Sequence, residues 1–487
     1  MNPSLESYNK MIGKIYMQNP ELYMHSPAFC RCEGRTFLFK NFLNEEKIHY
    51  FKIFFLSYIF LAKIVRDILF IFFTKKISTN KINDKSVLVF SFFDKRSIDN
   101  GLLKEEYFRD ILDCNNNVIC VYKFISQGFF KRGFQFTKSL ENSNKKFKAF
   151  SEYAFIDLFI VFKAIFNSII FIMKIIYKRN KMQLNSKLKK YLLKEVIKEF
   201  LTGIIYQNYL QNLLYKKLLT KKPKVILHVW ENQPWNRILE FSKNKYSPNS
   251  SSRGFQHTGF SKKLLQHYPS KFEKNLDSLP DIIISNGRKN QTELNKIYSN
   301  TKIVVGGALR QNILLKKKLS PPKELTQSNL KEISFAFSWD QSDYDKIIEG
   351  LRLIPKNIKI FLKFHPNYPN WSKKNNFPKN FFNTNLSWKE ISKTCSLVLA
   401  SDNSLMFEGF YYGMHSVVYD GVKDYEHAKR DFNSPIIHIL ESDLKNINKE
   451  SMLESINKSS KLVFKENYLS DYFSTISLEK SKKIFFE

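Results

Sequence analysis

Ser86–Phe93 reads SVLVFSFF, a nearly continuous apolar run bounded by Lys85 and Asp94. This pattern is typical of a strand that is covered on both faces, because a strand with one face in water alternates apolar and polar residues. Similar short runs recur at Asn117–Tyr122 (NVICVY) and Lys224–Val229 (KVILHV), with helical or polar stretches between them. The alternation predicts a parallel, doubly wound sheet of the α/β class.

The same pattern returns in the second half of the chain. Lys316–Asn329 is charged, contains two prolines and lacks periodicity, so it is the predicted linker. Beyond it, apolar strands are predicted at Glu332–Ser338, Lys359–Phe364 and Ser396–Ala400, again with helices between them. We therefore expect two α/β halves with doubly wound sheets, joined by one linker and followed by a helical tail.

These patterns divide the chain into consecutive segments. The predicted segments are an N-terminal extension with an apolar amphipathic helix (1–84), a first domain (85–315) with an apolar and basic helical insertion (about 150–220), a linker (316–330), a second domain (331–465) and a helical tail (466–487). Within the first domain, Glu105–Leu112 reads as a helix and Gly128–Lys146 as an irregular polar stretch.

Composition and charge narrow the class of protein. The 487 residues are 43% hydrophobic, which is enough to build packed cores and excludes a wholly disordered chain. Lys and Arg number 78 against 45 Asp and Glu, so the formal net charge is +33. Such a charge indicates a polyanionic partner or an anionic membrane, although the abundance of Lys, Asn, Ile, Phe and Tyr also fits AT-rich codons. Five cysteines make no disulfide framework at this length, which favours a reducing, cytoplasmic compartment.

Two long apolar stretches, Phe51–Phe73 and Ala154–Tyr177, are interrupted by charged residues such as Lys63 and Asp67. Ionisable groups near the middle of a membrane span are costly, so a spanning helix is not expected. Two alternatives remain, namely helices buried in the fold and helices in the membrane interface with lysines at the headgroups. Met173–Lys224 contains fourteen Lys or Arg and two Glu, a net charge of +12 that favours anionic lipid. Without a predicted signal peptide, we expect the inner face of the cell membrane.

Polar residues at strand ends are the candidate ligand-binding groups, because ligands of open parallel sheets bind beyond the carboxyl ends of the strands. The candidate ligand-binding residues of the second domain are Lys363, His365, Pro366, Ser401, Ser404, Glu408 and Ser338. An imidazole, serine hydroxyls and the start of a helix can donate hydrogen bonds to a phosphate, and a carboxylate can accept from sugar hydroxyls. The alternative is structural, with a loop-capping histidine and an ordinary N-cap serine.

In the first domain, Trp230–Trp235 (WENQPW) directly follows the strand KVILHV. Glu231 lies between the two tryptophans in sequence, so partial desolvation is expected to raise its pKa towards the range of a general base. His257, between glycines, is the second candidate base, and Asp94 is the third. The alternatives are an aromatic corner that packs the domains together and a flexible turn with an incidental histidine. The expected acceptor or cleft residues are Trp230, Gln233, Trp235, Gln256 and Arg310.

The motifs KFHP at Lys363–Pro366 and SDNS at Ser401–Ser404, with FEG behind it, resemble those of a known enzyme class. They are similar to the His-Pro and Ser-rich motifs of GT-B glycosyltransferases that use CMP-activated acidic sugars, such as bacterial sialyl-, polysialyl- and Kdo-transferases. The cytidine-dependent glycerophosphate transferases are similar. WENQPW, GFQHTGF, LPDIIISNG and VVGGALR resemble bacterial surface-carbohydrate biosynthesis proteins of the same fold. The resemblance implies that His365, Ser401 and Ser404 bind the phosphate of a cytidine nucleotide.

The resemblance implies two Rossmann-like domains that face each other across a cleft, with the nucleotide-sugar donor held by the second domain and the acceptor by the first. It also implies an inverting glycosyltransferase that moves a sugar from a CMP-linked donor to a capsule, a lipopolysaccharide, another surface polysaccharide or a lipid-linked glycan. No cofactor or metal is expected, because the Asp-Tyr-Asp sequence at 343–345 reads as the start of a helix. The alternatives are a glycerophosphate-type transferase and a nucleotide-sugar epimerase of the same fold. A basic nucleic-acid-binding protein is a weaker alternative, because the sequence carries no recognisable nucleic-acid-binding motif.

Overall fold

The computed structural model contains two separate parallel β-sheets. It describes residues 13, 15–17, 20–26, 50–124, 129–141, 145–178, 181–182, 186–257, 267–269, 278–311, 315, 319, 321–337, 344–365, 377–400, 405–420, 435–465 and 468–487. The strands, in chain order, are β1 Val87–Phe93, β2 Ile98–Asp99, β3 Leu102–Leu103, β4 Val118–Phe124, β5 Lys148–Ser151, β6 Val225–Val229, β7 Ser251–Phe255, β8 Ile282–Ser285, β9 Lys302–Val305, β10 Glu332–Ala336, β11 Lys359–Lys363, β12 Phe381–Asn383, β13 Leu397–Ala400, β14 His415–Tyr419 and β15 His438–Ile439.

The first sheet has seven parallel strands in the order β5-β4-β1-β6-β7-β8-β9. All seven residues of β1 are buried, which agrees with the apolar run in the sequence. In the register of the sheet, Val87 of β1 lies between Val118 of β4 and Val225 of β6. The chain builds outward from β1 to β5 and then returns to the other side of β1, so the direction of winding reverses between β1 and β6. The short strands β2 and β3 form an antiparallel pair outside this sheet.

The second sheet has six parallel strands in the order β12-β11-β10-β13-β14-β15. Ile333 of β10 lies between Ile360 of β11 and Leu397 of β13. The reversal of winding therefore falls between β10 and β13. The structure confirms the predicted α/β class with two doubly wound sheets, and it adds the short strands β5, β12 and β15, which the sequence pattern did not predict.

Helices cover the faces of both sheets. The α-helices of the described residues are Pro20–His25, Tyr50–Phe73, Phe129–Glu141, Leu158–Lys178, Ser186–Leu201, Ile204–Leu219, Pro234–Tyr246, Arg288–Ile297, Tyr344–Leu351, Trp388–Ile391, Leu405–Tyr411, Glu441–Leu444, Glu450–Lys465, Tyr468–Tyr472 and Leu478–Phe486. The 3₁₀ turns are Thr79–Lys81, Lys95–Ser97, Arg109–Cys114, Glu152–Ala154 and Leu309–Gln311.

Two predicted elements of the first domain are wrong. The stretch predicted as irregular contains the helix Phe129–Glu141, whose buried Phe136 packs on Phe93 and Phe124. Its polar and basic residues mask a short apolar face, which explains why the periodicity was not evident. The helix predicted from residue 105 to 112 is instead an irregular turn followed by the 3₁₀ helix Arg109–Cys114.

The two apolar stretches form the helices Tyr50–Phe73 and Leu158–Lys178, which pack against each other. In the part of the chain that the structure describes, only Leu158–Lys178 is long and apolar enough to cross a membrane, and 39% of its most apolar window is buried inside the protein. Asp67 in the first helix is fully buried and accepts hydrogen bonds from Arg66 Nε at 2.8 Å and Tyr153 OH at 2.7 Å. Internal partners therefore compensate this charge, and one side of each helix belongs to the core.

The last helix, Leu478–Phe486, returns from the second sheet to the first. Arg253 of β7 donates from Nη1 to the carbonyl of Ile484 at 2.6 Å. The ring of Phe485 is buried against Phe108 and Phe255. The end of the chain thus completes the core of the first domain.

Truncating Phe485 tests this packing. Phe485→Ala is expected to lower the free energy of unfolding of the first domain by about 3 to 5 kcal/mol, because it removes a fully buried ring and leaves a cavity. Urea unfolding followed by tryptophan fluorescence measures the shift. Leu478→Ala, on an exposed side chain of the same helix, is the control and should change little. Equal unfolding midpoints for both variants would contradict the assignment.

Candidate functional site

The carboxyl ends of β1, β6 and β7 lie side by side because these strands are neighbours in the first sheet. Asp94 follows β1, Glu231 follows β6 by two residues, and His257 follows β7 by two residues. The reversal of winding between β1 and β6 opens a crevice at this edge, as is general for doubly wound sheets. All three candidate bases therefore belong to one edge of one sheet.

Glu231 and His257 form a pair across β6 and β7. The distance from Glu231 Oε1 to His257 Nε2 is 3.4 Å, and the two side chains are 30% and 5% exposed. Burial lowers the pKa of His257 well below its ordinary value, and the positive charges of Arg310 and Arg96 lower it further. The imidazole is therefore neutral near pH 7. Its buried Nδ1 has no hydrogen-bond partner in the structure.

The two tryptophans of the WENQPW segment pack inside the first domain. The ring of Trp230 contacts His267 and Tyr298, and the ring of Trp235 contacts Phe92 and His228. Gly254 makes room for this packing, because a Cβ there would lie 2.8 Å from Trp230 Cβ. The glycine before the Gln-His sequence thus makes room for a contact within the protein.

The two glutamines at this edge have structural contacts. Gln233 is the N-cap of helix Pro234–Tyr246, and its backbone N–H donates to Asn236 Oδ1 at 3.1 Å. Gln256 is buried, and its backbone N–H donates to the carbonyl of Ile284 at 2.8 Å. Their backbone groups therefore shape the turns on either side of the Glu231–His257 pair.

The carboxylate of Asp94 forms an ion pair with Arg96. The same carboxylate caps the 3₁₀ turn Lys95–Ser97, accepting from the backbone N–H of Arg96 at 2.8 Å and from Arg96 Nε at 3.1 Å. Burial alone would favour the neutral acid, but the hydrogen bonds and charge of Arg96 outweigh it and lower the pKa of Asp94. A carboxylate stabilised in this way is a weak base, so its position favours a role in holding Arg96.

A second group of side chains lies next to this pair, around the ring of Tyr107. Arg96 Nη2 donates to Tyr107 OH at 3.2 Å, and the guanidinium carbon of Arg310 lies 5.6 Å from the ring centroid. Arg310 Nη2 is 3.5 Å from Glu106 Oε1, and Arg109 Nη2 is 3.2 Å from Glu106 Oε2. Tyr107 also meets His257 edge-on, with centroids 4.8 Å apart. The ring therefore joins both arginines to the Glu231–His257 pair.

Glu105 fixes the turn that carries Glu106 and Tyr107. Its buried carboxylate accepts hydrogen bonds from Ser91 Oγ at 2.8 Å and Tyr122 OH at 2.6 Å. It also accepts from the backbone N–H of Tyr107 at 3.0 Å. Burial raises the pKa of Glu105, and these hydrogen bonds oppose the rise. The irregular turn is thus attached directly to β1 and β4.

His365, after β11, faces these groups from the second domain. Burial lowers its pKa to about 4, and the positive charges of Arg96 and Arg310 contribute to this lowering. His365 therefore responds to charges of the first domain. The turn that carries Arg310 also touches the second domain directly, because Ala308 packs in one core with Ala336 and Phe407. Near pH 7 the imidazole is neutral and retains one N–H donor.

Glu408 approaches the same place from helix Leu405–Tyr411. Burial raises its pKa to about 7, while the charge of Arg310 and a hydrogen bond from Gln311 oppose the rise. Lys363, in contrast, donates to the carbonyl of Leu386 and lies over the ring of Trp388, so its charge is engaged within the second domain. The remaining candidates Pro366, Ser401, Ser404 and Ser338 lie outside the described residues.

The sequence reading did not name Arg96, Glu106, Tyr107 or Gln311 as site residues. For Arg96, the sequence did offer a signal, because this arginine lies two positions after Asp94 at the end of a predicted strand. Glu106 and Tyr107 fell inside a predicted helix and gave no such signal. Among the described residues, no group of three or more His, Cys, Asp or Glu side chains is arranged to hold a metal ion.

Comparison with known proteins finds no matching family model and no matching curated protein. Three solved structures illustrate the similarity to known folds. A variant of the wall teichoic acid polymerase TagF is 11% identical, with 90% of this chain and 97% of that chain covered and a TM-score of 0.40. S. aureus MnaA with UDP is 9% identical, with 81% of this chain and 99% of that chain covered and a TM-score of 0.43. Anabaena HepE with UDP and glucose is 10% identical, with 82% of this chain and 97% of that chain covered and a TM-score of 0.39. These likenesses are distant, so function is inferred from the site residues.

The titration of Glu408 can be measured through stability. Its pKa is about 7 in the folded protein against an ordinary value of 4.5, so the folded state binds the proton more tightly than the unfolded state. Its contribution to stability therefore falls as the pH rises through this interval. The stability of Glu408→Gln, measured by urea unfolding at several pH values, should decline less than that of the wild type between about pH 5 and 7. Parallel pH profiles for the two proteins would contradict this.

Proposed function

We propose that this protein is a GT-B glycosyltransferase that moves a sugar from a nucleotide donor to a surface-glycan or lipid-linked acceptor. The observation that carries the proposal is the Glu231–His257 pair at the carboxyl edge of one sheet, together with His365 at the carboxyl edge of the other. One edge supplies a proton acceptor, and the other supplies a neutral N–H donor for a phosphate. These are the two functions that a metal-independent transfer from a nucleotide sugar requires.

The acceptor is proposed to bind at the first domain and the donor at the second. We assign Glu231 as the proton acceptor because its carboxylate is 30% exposed, whereas the His257 ring is almost fully buried. The oxygen of the acceptor hydroxyl forms a bond to the anomeric carbon, its proton passes to Glu231, and the bond from that carbon to the nucleotide phosphate breaks. A single displacement of this kind inverts the anomeric centre. His257 holds the carboxylate in position.

The donor is proposed to be a CMP-activated acidic sugar, on the resemblance of KFHP and SDNS to transferases of that class. A neutral His365 and the half-buried Glu408 suit a phosphate and sugar hydroxyls, respectively. A glycerophosphate-type transferase would use the same phosphate contacts with a different transferred group. Product analysis with CMP-sugars and a cytidine-linked glycerol donor distinguishes the two activities.

The protein is further proposed to dock on the inner leaflet of the membrane through helices Tyr50–Phe73 and Leu158–Lys178. Each helix exposes a stripe of apolar side chains at helical spacing on the side away from the core. The stripes comprise Phe55, Tyr58, Leu61, Val65, Leu69, Phe72 and Phe73 on one helix and Phe159, Phe162, Phe166, Ile169, Met173, Ile176 and Tyr177 on the other. We call these fourteen residues the apolar face.

Exposed lysines surround the apolar face, which suits anionic lipid headgroups. They are Lys75, Lys163, Lys174 and Lys178. The end of the first helix also lies near the site, because Phe70 packs on Phe124 at the carboxyl end of β4. A membrane-held acceptor is therefore proposed to approach the edge of the first sheet directly from the lipid.

Substitution of the pair tests the base. Glu231→Gln should lower transfer by at least about 100-fold while leaving nucleotide binding unchanged, because only deprotonation of the acceptor is removed. His257→Gln should have a smaller effect, since the carboxylate remains. Initial rates with a CMP-sugar and a glycan acceptor, together with nucleotide affinity by calorimetry, measure both. Glu293→Gln, on an exposed helix of the same domain, is the control. The larger loss with His257→Gln would make His257 the base, and full activity in both variants would refute the proposal.

Vesicle binding tests the apolar face. The double substitution Phe162→Glu and Phe166→Glu should weaken binding to vesicles containing anionic lipid by at least about tenfold, because it places charge where apolar side chains enter the lipid. Sedimentation with vesicles measures the bound fraction. Phe241→Glu, an exposed apolar position on helix Pro234–Tyr246, is the matched control. Equal binding of the double variant and the control would show that the apolar face does not contact lipid.

A further inference from the structure

Arg310 belongs to the first half of the chain, yet it lies between the two halves. It is part of the 3₁₀ turn Leu309–Gln311 that follows β9, and the N–H of Ala308 donates to the carbonyl of Ser474 at 2.9 Å. The turn contacts the second domain, because Ala308 packs in one core with Ala336 and Phe407, and Gln311 hydrogen-bonds to Glu408. In the first domain, Arg310 pairs with Glu106 and lies over the ring of Tyr107, which meets His257. Arg310 therefore belongs to the proposed acceptor side, and its turn touches the proposed donor side.

The hydrogen bonds of Arg310 are incomplete. A guanidinium has five N–H donors, and the ion pair of Arg310 with Glu106 is long, at 3.5 Å. Glu106 is shared with Arg109, which approaches it more closely, at 3.2 Å. Arg310 Nε is buried and has no hydrogen-bond partner in the structure. A buried donor without a partner is unfavourable, so an incoming acceptor group at this point would be stabilised.

Arg96 offers a contrast on the other side of the same ring. Its backbone N–H, Nε and Nη2 all donate to Asp94, and Nη2 also reaches Tyr107 OH. It is also more exposed than Arg310, at 36% against 19%. Of these two arginines, Arg310 is thus the one with an N–H group left to donate. It is also the more buried of the two, and a hydrogen bond to an anion is stronger away from water.

We propose that Arg310 binds the phosphate of the nucleotide donor, exchanging its long contact with Glu106 for that phosphate when the donor enters the cleft. The inference rests on the proposed function and adds to it a donor-binding residue from the half of the protein that binds the acceptor. The planar guanidinium can bind two phosphate oxygens at once and neutralise the charge that develops on the leaving group. Its stacking on Tyr107 keeps the group oriented before the donor arrives.

A consequence is that both halves of the protein contribute to the donor site. In the structure, Arg310 is paired with Glu106 of the first domain. With donor bound, the same side chain contacts a molecule whose remaining contacts belong to the second domain. The phosphate then bridges His365 and Arg310, and the leaving-group site is formed by residues of both domains.

Calorimetry with Arg310→Gln tests the inference. The wild type is titrated with CMP, CDP, UDP and GDP and with cytidine, uridine and guanosine, so that the contribution of the phosphate is separated from that of the base. Arg310→Gln should bind the preferred nucleotide at least about tenfold more weakly and the matching nucleoside with unchanged affinity. Arg109→Gln, which also removes a partner of Glu106, is the control and should bind the nucleotide within about twofold of the wild type.

The outcomes separate the inference from the proposed function. If the wild type binds a nucleotide and Arg310→Gln binds it equally well, the inference is wrong and the proposed function stands. If the wild type binds none of the four nucleotides, both are wrong. Arg310→Lys guards against a folding defect in the Gln variant, because it retains the charge but not the two-pronged geometry. It should lose about threefold or more in nucleotide affinity, and wild-type affinity would again refute the inference.

Discussion

Parallel pairing of β1 with β6, and of β10 with β13, is the constraint on which the rest of this structure depends. Parallel strands that are neighbours end at the same edge, so residues far apart in sequence become neighbours there. The complete burial of β1 shows how firmly this pairing is fixed, because a slip in register would displace every residue of a sheet that is covered on both faces. Glu231 and His257 meet because β7 continues the parallel pairing on the other side of β6, and no local preference of either segment would bring them together.

The sequence was most informative where burial is nearly complete. Continuous apolar runs such as Ser86–Phe93 are strands in the structure within one or two residues, since few other structures accommodate them. Helix Phe129–Glu141 was not predicted, because its buried face is narrow and its basic residues dominate the pattern. Strand-end positions predicted which edge Asp94, Glu231 and His257 share, but not the direction of their side chains. Trp230 shows this, because its ring turns into the core of the first domain.

The contacts around Tyr107 lay beyond prediction for a different reason. Glu106 and Tyr107 belong to a turn without regular structure, and a buried carboxylate, Glu105, fixes that turn by bonding to β1 and β4. Sequence periodicity carries no information on such side-chain anchors. The two apolar stretches posed a similar difficulty, since each helix is buried on one side and exposed on the other. One alternative drawn from the sequence, burial in the fold, thus holds for one side of each helix, and the membrane interface stays a prediction for the exposed side.

The return of helix Leu478–Phe486 to the first domain has a consequence for biosynthesis. A ribosome releases β1 to β9 long before this helix, so Phe108 and Phe255 stay uncovered until Phe485 has been synthesised. The second sheet, whose strands are contiguous in the chain, can close its own core earlier. The domain that is made first is therefore the last to be completed. Until then its exposed aromatic surface is available to chaperones. A chain that ends just before Leu478 would leave the first domain incomplete, whereas the second domain would keep all its strands.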